Sequence, residues 1–167
     1  SPADAAAAMA RSVAIEFRRR LQGEYVPRIR RCVALLGDEG VWARPAPNCN
    51  SAGNLLLHLG GNTTQWILAT FGAVADARDR PAEFAAQGGM PAVQLVEALA
   101  RRGDRACDVG DRLTAAELLR PRLVQQRYAE TGLSAVLHVL EHFSGHAGQI
   151  YAWTKRATGQ DLRFYDL

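Results

Sequence analysis

Between Ala3 and Leu36 the apolar positions Val13, Phe17, Leu21, Val26, Ile29, Val33 and Leu36 recur at three to five residue intervals, the spacing of one face of an α-helix. Gly23 and Pro27 fall inside this stretch, and proline lacks the N–H of the helical ladder, so a kink or break is expected there. Gly37 to Cys49 reads as a loop, with Arg44-Pro45-Ala46-Pro47 excluding helix. Asn50 or Ser51 offers an N-cap for a second helix running to about Phe71. A polar, Pro-containing stretch from Asp76 to Gly89 precedes a third helix, Pro91 to about Val109, with proline suited to its first turn.

Thr114-Ala115-Ala116-Glu117 has the capping-box pattern of a short helix, which Pro121 ends, and Arg122 to Tyr128 reads as extended or irregular. The last helix runs from about Gly132 to Ala157 and is closed by Gly159, leaving a tail, Gln160 to Leu167, without a clear period. No run of alternating apolar residues is long enough for a sheet. The pattern predicts an all-α fold, a four-helix bundle with long connections and one short extra helix, as a single domain over residues 1–167.

Composition narrows what such a bundle does. At 167 residues and 48% hydrophobic, the chain fills one core and is too short for two comfortable ones. The net charge of +3 comes from 20 basic and 17 acidic residues, and Lys155 is the only lysine. The densest basic run, Arg18-Arg19-Arg20 with Arg28, Arg30 and Arg31, is interleaved with Glu16 and Glu24 and has no alternating aromatics, so it reads as a solvated helix face and no nucleic-acid partner is expected. Cys32, Cys49 and Cys107 form no C-x-x-C pair and read as reduced thiols of a cytoplasmic protein. The alanines Ala5 to Ala8 lack the basic leader of a signal peptide, and no segment reaches the ~20 apolar residues of a membrane span.

The chemistry is concentrated in histidine. All four histidines fall in two helical stretches, His58 in the second helix and His138, His142 and His146 in the last. Laid out at ~100° per residue, the last helix has a core arc of Val136, Val139, Leu140, Phe143, Ala147 and Ile150 and a solvent arc holding Glu141 and Ser144. His142, His146, Gln149 and Trp153 form a stripe along one border, with His138 further toward water. Residues i and i+4 lie ~5 to 6 Å apart at Cβ, so His142 and His146 can reach one ion. Asn54, His58, Asn62 and Gln65 make a polar stripe on the second helix, which is either its solvent face or the wall of a cleft facing the first stripe. In the latter case three imidazoles converge with coordination positions left open. Glu141 precedes His142, so the H-E-x-x-H peptidase motif is absent. Trp66, Trp153 and Tyr151 read as core or interface aromatics rather than pocket walls.

The segments Asn50-Ser51-Ala52-Gly53-Asn54-Leu55-Leu56-Leu57-His58-Leu59-Gly60-Gly61-Asn62 and His142-Phe143-Ser144-Gly145-His146-Ala147-Gly148-Gln149-Ile150, with the tail Gly159 to Tyr165, resemble the DinB superfamily. The resemblance implies a four-helix bundle in which His58, His142 and His146 hold a divalent metal, zinc or nickel foremost, while His138 has no ligand counterpart. Many members carry Arg or another residue where Gly145 or Ala147 stands, which leaves substrate recognition undefined. It further implies thiol-dependent S-transfer to a small-molecule substrate with a low-molecular-weight thiol such as bacillithiol or mycothiol; a homodimer through an exposed helix face is expected alongside. The alternatives are a metal-dependent hydrolase or a non-catalytic metal-binding bundle. The absence of an acidic residue on the His58 stripe tilts this choice toward S-transfer. Asn62 and Gln149 are expected either to orient the ligands or bind a polar cofactor group, or simply to hydrogen-bond between helices.

Overall fold

A computed structural model of the chain describes residues 1–165; Asp166 and Leu167, the end of the tail expected to lack a period, lie outside the described residues. Helix α1 (Pro2–Arg20) starts at a capping box in which Ser1 and Asp4 exchange hydrogen bonds. It passes into α2 (Val26–Trp42) through a widened, π-helical turn over Leu21–Tyr25. That turn is the form taken by the expected interruption. Pro27 cannot donate to the ladder, and the Val26 N–H reaches back five residues to the Leu21 carbonyl, so the helix continues without a break. Gly37 does interrupt it, with a left-handed φ of 68°, but helix resumes to Trp42. The loop expected from Gly37 therefore begins only at Ala43.

Helix α3 (Ala52–Thr63) is capped by Ser51, whose hydroxyl accepts from Asn54 N–H, and ends in a second π-helical turn, Thr64–Ala69. The connection expected to be irregular contains a short helix, α4 (Arg80–Ala85), capped by Asp79. Helix α5 (Ala92–Gly110) follows, its first N–H held by Asp38 at 2.7 Å, then the short α6 (Ala115–Leu119) behind the Thr114 capping box. Where no sheet was expected there is a small antiparallel hairpin, β1 (Pro121–Val124) with β2 (Tyr128–Thr131). Its turn places Gln125 and Gln126 at positive φ, a role usually signalled by Asn or Gly. Helix α7 (Gly132–Thr158) closes on Gly159 in the left-handed conformation.

Helices α5 and α7 each pack against both α2 and α3, and this four-helix arrangement encloses the core, with α1 extending along α5 and α7. Phe17, Leu21, Ile29, Leu56, Leu59, Ile67, Leu99, Phe143 and Ile150 are all almost fully buried in one cluster. The fold is all-α, with the hairpin as its only β element among the described residues. No described helix is long and apolar enough to cross a membrane. The α3–α7 contact brings the two histidine stripes together.

Candidate metal centre

The polar stripe of α3 faces inward. Asn54, His58 and Asn62 are 0%, 3% and 3% exposed, so the stripe is a buried wall and not a solvent face. His58 Nε2 lies 2.7 Å from His142 Nε2, and the three rings of His58, His142 and His146 have centroids 4.7–5.0 Å apart. One nitrogen from each falls within 4.8 Å of the others. Two ligand nitrogens each ~2.0–2.1 Å from a tetrahedral ion stand roughly 3.3 Å apart, a value within this range. At 2.7 Å two imidazole lone pairs cannot face each other across an empty gap; a proton or a cation has to lie between them. The donor set thus fits a divalent ion.

Two of the rings are held from behind. His58 Nδ1 is 3.0 Å from Glu83 Oε2, and His146 Nδ1 is 2.8 Å from Gln149 Oε1, so both rings donate outward and turn Nε2 toward the cluster. Arg78 binds Glu83 with two N–H groups, Nε to Oε1 at 2.7 Å and Nη2 to Oε2 at 3.0 Å, and donates to Gln65 Oε1 at 3.0 Å. The side chains of His58, Glu83 and Arg78 are less than a tenth exposed. Arg78 Nη2 also lies 3.1 Å from His58 Nδ1, a bond that the Nδ1–H tautomer donating to Glu83 leaves unmade. Gly61 makes the approach possible, because a Cβ there would collide with the Glu83 carboxylate and stand 2.9 Å from Arg78 Nε.

Helix α4 reaches this position through Asn54. Its amide donates to the carbonyls of Glu83 at 3.0 Å and Ala86 at 2.7 Å, while its oxygen accepts from Ser51. One residue thus caps α3 and ties down the end of α4. Phe84 then packs against the His58 ring, tilted by 38° with centroids 4.6 Å apart.

Burial is the main cause that holds His142 down to about 3, with the neighbouring imidazoles adding to it, and burial likewise lowers His138 and His146. His138, His142 and His146 therefore offer lone pairs rather than charge at neutral pH. Burial alone would raise the Glu83 carboxyl, but hydrogen bonds from His58 and Arg78 outweigh it and hold it below its ordinary value. Glu83 is therefore a carboxylate committed to His58 and Arg78.

His138, half-buried like His142 and His146, has partners that the isolated helix did not show. Its ring stacks on Trp66 at 3.5 Å and 12°, its Nε2 accepts from Asn62 Nδ2 at 3.0 Å, and it lies 5.3 Å from the His142 ring. Asn62 contacts His138 rather than the three clustered histidines, and its buried Oδ1 has no partner among the described residues. A cleft of about 290 Å3 opens over the cluster, bordered by His138, Glu141, His142, Gly145, His146 and Gln149. Gly145 leaves it uncovered.

Glu83 and Arg78 were not found from sequence: the α3 stripe itself holds no acid, and the carboxylate beside His58 comes from the following connection. Asp79 followed by Pro81 is a helix-start signal that marks α4, though not where α4 docks.

Fold and site together define a helical bundle whose neighbouring helices bring three imidazoles to one point, a donor set that could hold a metal ion. A profile of the DinB superfamily matches residues 27–150, from the start of α2 through both histidine stretches. The chain belongs to the DinB superfamily. No curated protein and no solved structure matches it.

Proposed function

We propose that His58, His142 and His146 hold a divalent metal, zinc or nickel, and that the chain uses it to transfer a low-molecular-weight thiol to a small electrophile. The observation that carries this reading is the convergence of three imidazole nitrogens within 4.8 Å, two of the rings aimed by the hydrogen bonds they donate to Glu83 and Gln149. When bound, the metal supplies the positive charge that makes a thiol a thiolate near neutral pH. The chain's own part is to present neutral ligands, hold them rigid and leave one face open. Glu83 keeps the His58 tautomer, Arg78 neutralises Glu83, and Gly145 keeps the cleft accessible. Glu83 has both oxygens engaged, so it is not free to serve as a general base.

A hydrolytic second reading is favoured by one observation. Glu141, exposed on α7, borders the same cleft and has no hydrogen bond among the described residues. A screen of bacillithiol, mycothiol, glutathione and coenzyme A against a generic electrophile separates the two. Metal-dependent conjugation supports transfer; thiol-independent ester cleavage lost in Glu141→Gln supports hydrolysis. Stoichiometric metal retained by both His58→Ala and His142→Ala would sink the three-histidine assignment.

A further inference from the structure

We propose that a second cavity, about 250 Å3 and walled by the loop before α3 and by α7, binds an uncharged small molecule with an apolar or aromatic body and a hydrogen-bonding, amide-like end. Its role as the substrate's subsite rests on the metal centre proposed above; its ligand class does not.

The floor is apolar, made of Ala52, Leu55 and Ile150, each at most 5% exposed, and the indole of Trp153 forms one wall. Trp153 packs against the core, as expected from sequence, and also borders this cavity. Three carboxamides, Asn48, Asn50 and Gln149, supply the polar side. No lining residue bears a formal charge. The groove beside Arg78 differs in containing Arg102 and Arg105, and the histidine cleft in containing Glu141. Arg44 lies behind the wall with its guanidinium spent on the carbonyls of Cys49 and Phe84, so an ion entering the cavity loses hydration without a counter-charge in the lining to replace it, and the walls favour neutral ligands. The volume lies below the roughly 300–1,000 Å3 of sites for drug-sized ligands, which suits one ring or a short chain.

Gln149 joins this cavity to the histidines, because it borders both spaces. Its Oε1 receives the His146 Nδ1–H, leaving its amide N–H groups to donate to a ligand acceptor. A molecule seated on Trp153 with its acceptor on Gln149 has its remaining end beside the metal cleft.

The cavity carries its own reporter. Cys49 lines it and is partly exposed, whereas Cys32 and Cys107 are fully buried. Alkylation of Cys49 by iodoacetamide, followed by mass spectrometry on chelator-treated protein, is measured with benzamide, benzoate and benzamidine, which match in size and differ in charge. Saturating benzamide should slow labelling about fivefold or more. The two ions should need at least about tenfold higher concentration for the same effect. Asn48→Asp, on the exposed rim, should shift the preference to benzamidine. Equal protection by all three probes, or none by benzamide up to its solubility limit, overturns the proposal. Labelling already blocked without probe and released by dilution also overturns it, since a second copy of the chain would then cover the cavity. Benzamide protection in a protein that takes up neither zinc nor nickel would overturn the metal centre and sustain the ligand class.

Discussion

Glu83 is the residue on which the environment of His58 turns. It accepts from the ring, and Arg78 compensates its charge in a setting where all three side chains are less than a tenth exposed. Glu83→Gln keeps the shape but removes the charge that strengthens the His58 lone pair and leaves Arg78 buried without a counter-ion. Metal affinity measured by calorimetry should fall about 10–100-fold, and chemical denaturation should report a loss of about 3 kcal/mol or more.

Protonation acts at the same scale. His142 has an ordinary value of 6.5 and is held at about 3 in the fold, so between those values the unfolded chain binds the extra proton. Its contribution to stability is therefore complete above pH 6.5 and is lost as pH falls toward 3, at up to about 1.4 kcal/mol per pH unit. Glu83, lowered from 4.5, adds a further loss below that pH. Denaturation of the metal-free protein should show stability declining from pH 6.5 downward, and His142→Gln should flatten the decline between pH 6.5 and 4.5. An unchanged slope in that variant would assign the acid sensitivity elsewhere.

At the scale of elements, α4 is a six-residue helix whose carbonyl end is held by one amide on α3. Asn54→Ala removes those bonds and the α3 capping contact together, leaving buried carbonyls unpaired. The expected outcome is a loss of about 2–3 kcal/mol, with hydrogen exchange rising first in residues 80–86; uniform exchange across the bundle would contradict this coupling. The same element marks the limit of what the sequence conveys. The periodicity of α3 and α7 and the four-residue spacing of His142 and His146 are local, and they were legible. The docking of α4 is not local: Glu83 is 25 residues from His58, in a polar stretch where charged residues are ordinary. The partners of His138 escaped for a related reason, since a helical wheel measures angles about one axis and knows nothing of Trp66 on a neighbouring helix. The hairpin escaped because two glutamines occupy its left-handed turn positions.

For the whole molecule, an ion bound only by the folded state stabilises it by about 2.7 kcal/mol at a hundred times its dissociation constant. In a chain of this size that corresponds to a rise in Tm of about 5–10 °C. Calorimetry with zinc or nickel should show such a rise, reversed by chelator and absent in His58→Ala.

His58 and His142 are 84 positions apart in the chain and 2.7 Å apart in space. An ion shared between them would staple a long loop of polypeptide shut, a constraint on the unfolded chain comparable to a cross-link worth about 4–5 kcal/mol. The three cysteines form no such link. The histidines would then give this chain a removable counterpart of a disulfide, set by metal supply rather than by redox state.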